Sequence, residues 1–179
     1  MTNAATRRRF LAFSLAAASA VVARPSIVRA HAKERSIALY NAHTSESVKT
    51  VYWANGNYVD DGLMEISRLL RDYRTEDVIP IDPHLIDMLY RLCRKVGTRR
   101  PYFVMSGYRS PITNEILRKA DSRVAKNSYH MRGMAVDAYL PKVALKTLQR
   151  AALSLRAGGV GYYPKTGFIH LDSGRVRSW

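Results

Sequence analysis

Hydrophobic positions along the chain fall into short runs with two different periods. Ile37-Ala38-Leu39-Tyr40 and Val48-Lys49-Thr50-Val51-Tyr52-Trp53 are strand-like and flank the polar run His43-Thr44-Ser45-Glu46, the pattern of a hairpin with a longer loop. Asn55-Gly56-Asn57 is a turn. From Gly62 to Tyr73 the period becomes helical, with Leu63, Ile66, Leu69 and Leu70 on one face. A second helix is marked at both ends: Asp82 can cap it, Pro83 suits its first position, and Gly97 can end it. Its stripe of Leu85, Met88, Leu89, Leu92 and Val96 suits core packing. Tyr102-Phe103-Val104-Met105 reads as a buried strand, and a helix-like segment runs from Thr113 to about Ala120. Met134 to Leu140 is a strand, and Val143 to Arg156 a helix stopped by Gly158-Gly159. Val160 to Tyr163, Phe168 to Asp172 and Val176 to Trp179 close the chain as strands.

Helices that precede and flank a small sheet predict an α+β fold with a largely antiparallel sheet. The length of 179 residues suits one domain with a real core. The first thirty residues are set apart from it. Thr6-Arg7-Arg8-Arg9-Phe10-Leu11 is followed by an apolar stretch from Leu11 to Ala23, too short to span a bilayer, and then by Val28-Arg29-Ala30, with Ala30-His31-Ala32 as a neighbouring cleavage site. The twin arginine before Phe-Leu resembles a twin-arginine export signal. The reading is therefore a signal peptide over 1–30 and one domain over 31–179, outside the cytoplasm in the periplasm or cell envelope. No later segment could span a membrane.

Charge sharpens the picture. The net charge is +15, and without residues 1–30 it is still +10, from 24 basic and 14 acidic residues. Such a domain is drawn to polyanions: nucleic acid, anionic lipid or anionic cell-wall polymer. Export and the lack of any recognisable nucleic-acid reading motif argue against the first. Cys93 is the one cysteine, so no internal disulfide can form, and its helical setting gives it a packing role.

The chemistry concentrates in Ser128-Tyr129-His130-Met131-Arg132-Gly133-Met134-Ala135-Val136-Asp137. Alternation along a strand puts Asp137 on a face with Ala135 and Tyr139, and His170 on a face with Phe168 and Asp172. If the two strands are neighbours, Asp137 and His170 converge, and His130 can fold over from before the Gly133 turn. Two imidazoles and a carboxylate form a three-ligand set for Zn²⁺ with a fourth position open for water, which points to hydrolysis.

The pattern Ser-x-His-x-x-Gly-x-Ala-x-Asp followed by a strand His resembles the D-Ala-D-Ala metallopeptidases, zinc peptidases that share a core with lysostaphin-type enzymes and the Hedgehog signalling domain. Asn41-Ala42-His43-Thr44, Ser106-Gly107-Tyr108-Arg109-Ser110, Asn114, Val124-Ala125, Phe168-Ile169-His170-Leu171-Asp172 and Val176-Arg177-Ser178-Trp179 extend the likeness to the YcbK/MepK-like murein endopeptidases, over about Ser36 to Trp179. The resemblance implies a peptidoglycan hydrolase with His130, Asp137 and His170 as zinc ligands and peptidoglycan peptides as substrate.

One departure stands out. Many relatives carry Glu or Asp three residues before the last His, where this chain has Gly167. Asp172, on the same strand face as His170, is the best replacement as general base, or else orients a ligand from behind it. Arg109 is expected to stabilise an oxyanion or hold a substrate carboxylate. Ser128 is expected to hydrogen-bond substrate or support the turn, and Tyr108 and Tyr139 to wall the substrate groove or join the core. Arg177 and Trp179 can line a cleft or simply pack. His31, His43 and His84 are expected to have no metal role. A D-Ala-D-Ala carboxypeptidase and a non-catalytic wall-binding domain compete with the endopeptidase; the intact ligand set favours an enzyme, and Gly167 favours the binder.

Overall fold

The computed structural model describes residues 34–179, so the expected export signal and its cleavage site lie outside the described residues. The chain pattern produces strands β1 (Arg35–Asn41), β2 (Ser47–Ala54) and β3 (Asn57–Tyr58), then helices α1 (Asp60–Leu69) and α2 (Pro83–Lys95). Next come β4 (Tyr102–Ser106), α3 (Pro111–Ala120), a 3-10 turn (Tyr129–Arg132) and β5 (Ala135–Tyr139). The last elements are α4 (Leu145–Leu155), β6 (Gly159–Tyr163), β7 (Phe168–Asp172) and β8 (Arg177–Ser178).

The α+β class holds, but the sheet is not small. Its eight strands run in the order β3-β2-β1-β4-β5-β7-β6-β8. The pairings are antiparallel except β1 with β4 and β6 with β8, which are parallel. The first parallel pair needs a long crossover, and β2, β3, α1 and α2 supply it. Strand alternation sends Ile37, Leu39, Val104, Val136, Ala138, Ile169, Leu171 and Val160 into one apolar cluster. That cluster also takes Ile66, Leu69 and Leu70 of α1, the stripe Leu85, Met88, Leu89 and Leu92 of α2, and Leu148 and Ala152 of α4. These three helices therefore cover one face of the sheet. The opposite face carries Asp137 and His170.

Local chemistry explains the boundaries. Asp82 caps α2 by accepting from the His84 N–H, and Pro83 needs no donor there. Asn55 and Gly56 both take positive φ, as a tight hairpin turn between β2 and β3 requires. α1 ends short of the expected Tyr73. The Asp72 carboxylate accepts from the Arg74 and Ser110 N–H groups, which ties this stretch to the start of α3 instead of a further helical turn. α4 is ended by Arg156 in the left-handed region, not by Gly158-Gly159. The glycines answer to β7: a Cβ on Gly158 would lie 1.8 Å from the Asp172 carbonyl oxygen, and one on Gly159 2.3 Å from the Asp172 carboxylate.

Candidate metal centre

β5 and β7 pair antiparallel with Asp137 directly opposite His170, so the strand register alone brings these side chains together. His170 Nδ1 is 2.8 Å from Asp137 Oδ1. His130 joins them from the 3-10 turn. Ser128 starts that turn by accepting from the His130 N–H, and Gly133 ends it at φ 65°. A Cβ on Gly133 would lie 2.6 Å from the Pro80 carbonyl oxygen, so both conformation and space call for glycine. His130 Nε2 then sits 3.2 Å from His170 Nδ1 and 3.3 Å from Asp137 Oδ1. The potential ligand atoms of the three residues all lie within 4.8 Å of one another, and all three residues are buried.

The far nitrogen of each imidazole decides what the near one offers. His130 Nδ1 is 2.7 Å from the Gly107 carbonyl oxygen, which only accepts, so Nδ1 carries the proton. His170 Nε2 donates to Asp172 Oδ2 at 3.1 Å. His130 thus turns its Nε2 lone pair toward the Asp137 carboxylate, and His170 Nδ1, 2.8 Å from Asp137 Oδ1, offers one there once it is deprotonated. Two imidazole nitrogens and a carboxylate that converge on one point form a donor set that suits a cation such as Zn²⁺. Burial opposes ionisation of Asp137, but His130 and His170 outweigh it and hold its carboxyl well below the usual range. Burial lowers the pKa of His130. The same burial penalty at His170 is overcome by Asp137 and Asp172, and its pKa is raised.

The supporting residues are now visible. Arg109 hydrogen-bonds the second oxygen of Asp137 and, through Nε, the Ser106 hydroxyl at 2.8 Å. It therefore braces Asp137 while also lining the cleft. Asp172 is fully buried. Its oxygens accept from His170 Nε2, the Gly174 N–H and both terminal nitrogens of Arg177. It touches the imidazole edge that faces away from the ligand point.

The cleft has a volume of about 650 Å³. Its floor is formed by Asp137 and His170, one wall by the segment from Asp121 to Tyr129, and the other by Tyr163, Phe168, Arg177 and Trp179. Arg177 and Trp179 thus line it rather than only packing. Gly161, opposite His170 in the register, leaves room for the Trp179 ring, whose centroid is 5.2 Å from that of His170. Tyr108 is elsewhere: its side chain belongs to the apolar core. His43 stacks on Tyr73 and His84 is exposed beside Asp82; neither is at the triad. Sequence reasoning missed the wall around Asp121 and Arg123, which lies in a stretch without hydrophobic period, and the Gly107 carbonyl, a backbone group that no side-chain pattern reveals.

A model of the family described as peptidoglycan L,D-endopeptidase MepK matches residues 29–179. The chain belongs to the MepK family. It is 42% identical to the peptidoglycan L,D-endopeptidase MepK of Escherichia coli strain K12 over 177 residues, 98% of this chain and 97% of the relative. It is 38% identical to a probable peptidoglycan L,D-endopeptidase MepK of Haemophilus influenzae over 148 residues, 82% of this chain and 80% of the relative. The crystal structure of the Serratia marcescens L-Ala D-Glu endopeptidase ChiX overlaps 42% of this chain and 62% of its own at 20% identity, with a TM-score of 0.34, too slight a likeness to carry an argument. No helix among the described residues is long and apolar enough to cross a membrane.

Proposed function

We propose that the protein is a zinc-dependent peptidoglycan endopeptidase that hydrolyses an L,D peptide bond in the cross-linking peptides of the wall. The observation that carries this is the pair of imidazoles whose near nitrogens are aimed, by Gly107 and Asp172 on their far sides, at one point beside Asp137. MepK family membership supplies the substrate class, and a carboxypeptidase or a silent binder is less well supported. The zinc ion would polarise the scissile carbonyl and lower the pKa of a bound water to about 7.

The chain's own residues do the rest. His130, Asp137 and His170 hold the ion. Arg109 fixes the rotamer of Asp137 and presents its guanidinium to the cleft, where it meets a substrate carboxylate or developing oxyanion. Asp172 acts as the orienter of His170, not as the base. Its four hydrogen bonds and its place behind the ring leave it no route to a water at the open ligand position. Ser128 serves the turn that delivers His130. Asp121, the other carboxylate lining the cleft, is bound by Arg123, and Asp121→Asn is the variant that tests it for proton transfer. The export signal and the periplasmic site of action belong to this reading. A reporter fused after residue 32 should reach the periplasm, and fail to when Arg8 and Arg9 are both changed to Lys.

Metal-loaded protein incubated with isolated sacculi should change the cross-linked peptide pool seen by chromatography. Chelator and His170→Ala should each abolish the change. Activity that survives both would sink the zinc mechanism.

A further inference from the structure

The sheet face that carries the triad also carries a row of aromatic rings running across the strands. Tyr40 of β1 pairs with Phe103 of β4, and Phe103 pairs with Tyr139 of β5. Their ring centroids are 4.6 Å and 5.3 Å apart. Continuing the β5–β7 register beyond Ala138 and Ile169 brings Tyr139 opposite Phe168. Phe168 in turn pairs with Tyr163 of β6, with stacked rings 5.0 Å apart. The neighbours of these residues along each strand point into the core, so all five rings stand on the face left free by α1, α2 and α4. Four of the five are half-buried and Tyr163 is exposed. Among the described residues, the hydroxyls of Tyr40 and Tyr139 have no hydrogen-bond partner, whereas that of Tyr163 accepts from Trp179 Nε1.

Cross-strand aromatic pairs stabilise a sheet, and this row does that. Stability alone does not call for five in one line that ends in the catalytic cleft, where Phe168 and Tyr163 form a wall. The row crosses four strand spacings, about 19 Å. It carries no charge, unlike the cleft beside it, which Arg109, Arg123 and Arg177 line. The two surfaces therefore ask for different halves of one ligand. Guanidinium groups suit a peptide with carboxylates. An uncharged row of tilted, half-exposed π faces edged by phenolic hydroxyls suits pyranose rings, whose C–H faces stack on aromatics and whose hydroxyls need hydrogen-bond partners.

We propose that this aromatic row is a sugar-binding platform that holds the glycan strand of peptidoglycan while its peptide enters the metal cleft. It rests on the peptidoglycan endopeptidase reading and extends that reading from the peptide to the polymer. The platform makes the enzyme prefer polymeric wall over free peptides.

The test uses two substrates and one binding measurement. The double variant Tyr40→Leu/Tyr139→Leu keeps apolar bulk in the sheet and removes two π faces and two hydroxyls. Its kcat/KM is measured on intact sacculi and on cross-linked peptide dimers freed of sugar by an amidase. The ratio of the two should fall ~10-fold against wild type. Co-sedimentation with peptide-free glycan strands should fall with it. A row that serves only the sheet would lower the melting temperature and change both substrates alike; an unchanged ratio, with or without that drop, overturns the platform. Should wild type cleave neither substrate, the endopeptidase reading fails instead. The platform is then judged on glycan co-sedimentation alone: binding lost in the variant supports it, and no binding by wild type overturns it.

Discussion

The two histidines of the triad reach one point from unlike parts of the fold. His170 sits mid-strand in β7, and the register that pairs it with Asp137 is the register of the whole sheet. His130 sits in a single 3-10 turn and depends on a few local contacts. These are its own ring bond to Gly107, the Arg109 N–H donating to the His130 carbonyl, and Gly133 fitting under Pro80. A side chain set by register is as hard to misplace as the core itself, because slipping one residue would turn every apolar side chain of β7 outward. A side chain set by a turn can be displaced by one substitution several ångströms away.

That contrast can be broken or sharpened by variants. The largest effect is expected from His170→Ala, which should abolish turnover and stoichiometric metal while leaving the far-ultraviolet circular dichroism unchanged, since the strand does not rely on the imidazole. Metal analysis and sacculus digestion read both. Asp172→Asn should retain the fold and weaken metal affinity about 10–100-fold, because His170 loses the carboxylate that fixes its tautomer; competition with a chromogenic chelator measures this. Unchanged affinity would mean that register alone orients His170. Gly133→Ala should cost about 1–2 kcal/mol from the left-handed backbone before any clash with Pro80 is counted. Thermal melts should show that loss, together with weaker metal binding. The matching change on the strand side, Gly161→Ala, should displace Trp179 and spare metal affinity. Equal loss of metal in both glycine variants would erase the distinction between the two histidines.

The smallest effect lies at the loop that carries Arg109. Burial opposes ionisation of Asp72, but hydrogen bonds from the start of α3 and from Arg74 outweigh it and depress its pKa. A depressed carboxylate contributes stability that is present above the unfolded value of about 3.9 and is lost as pH falls through the lower folded value. Melting temperature followed downward from pH 6 should drop more steeply in wild type than in Asp72→Asn, with the difference confined to the acid side.

Legibility followed the same division. Period two was enough to put Asp137 and His170 on converging faces, and paired capping signals placed α2 to within a residue or two at its ends. The size of the sheet was not readable. β3 has two residues, too few to show a period, and the parallel pairings of β1 with β4 and of β6 with β8 depend on how the chain packs between them. Gly158-Gly159 looked like a helix stop because glycine at a helix end usually is one; here it lets β6 approach Asp172. The motif around Arg109 drew attention to its guanidinium as a substrate group, but its attachment to Asp137 joins residues 28 positions apart and lies beyond any local rule. Tyr108, adjacent in the same motif, turns into the core, where its N–H donates to the Leu70 carbonyl at the end of α1.

The facing imidazole nitrogens, 3.2 Å apart beside Asp137, have a consequence for how the site is charged. Against the opposing effect of burial, Asp137 and Asp172 raise the pKa of His170, so this ring must give up a proton from Nδ1 before it can take a metal ion. Loading the enzyme is then an exchange, not an addition. An entering ion should displace that proton into the solvent, so the heat of loading should depend on the ionisation enthalpy of the buffer, and low pH should compete for the site directly.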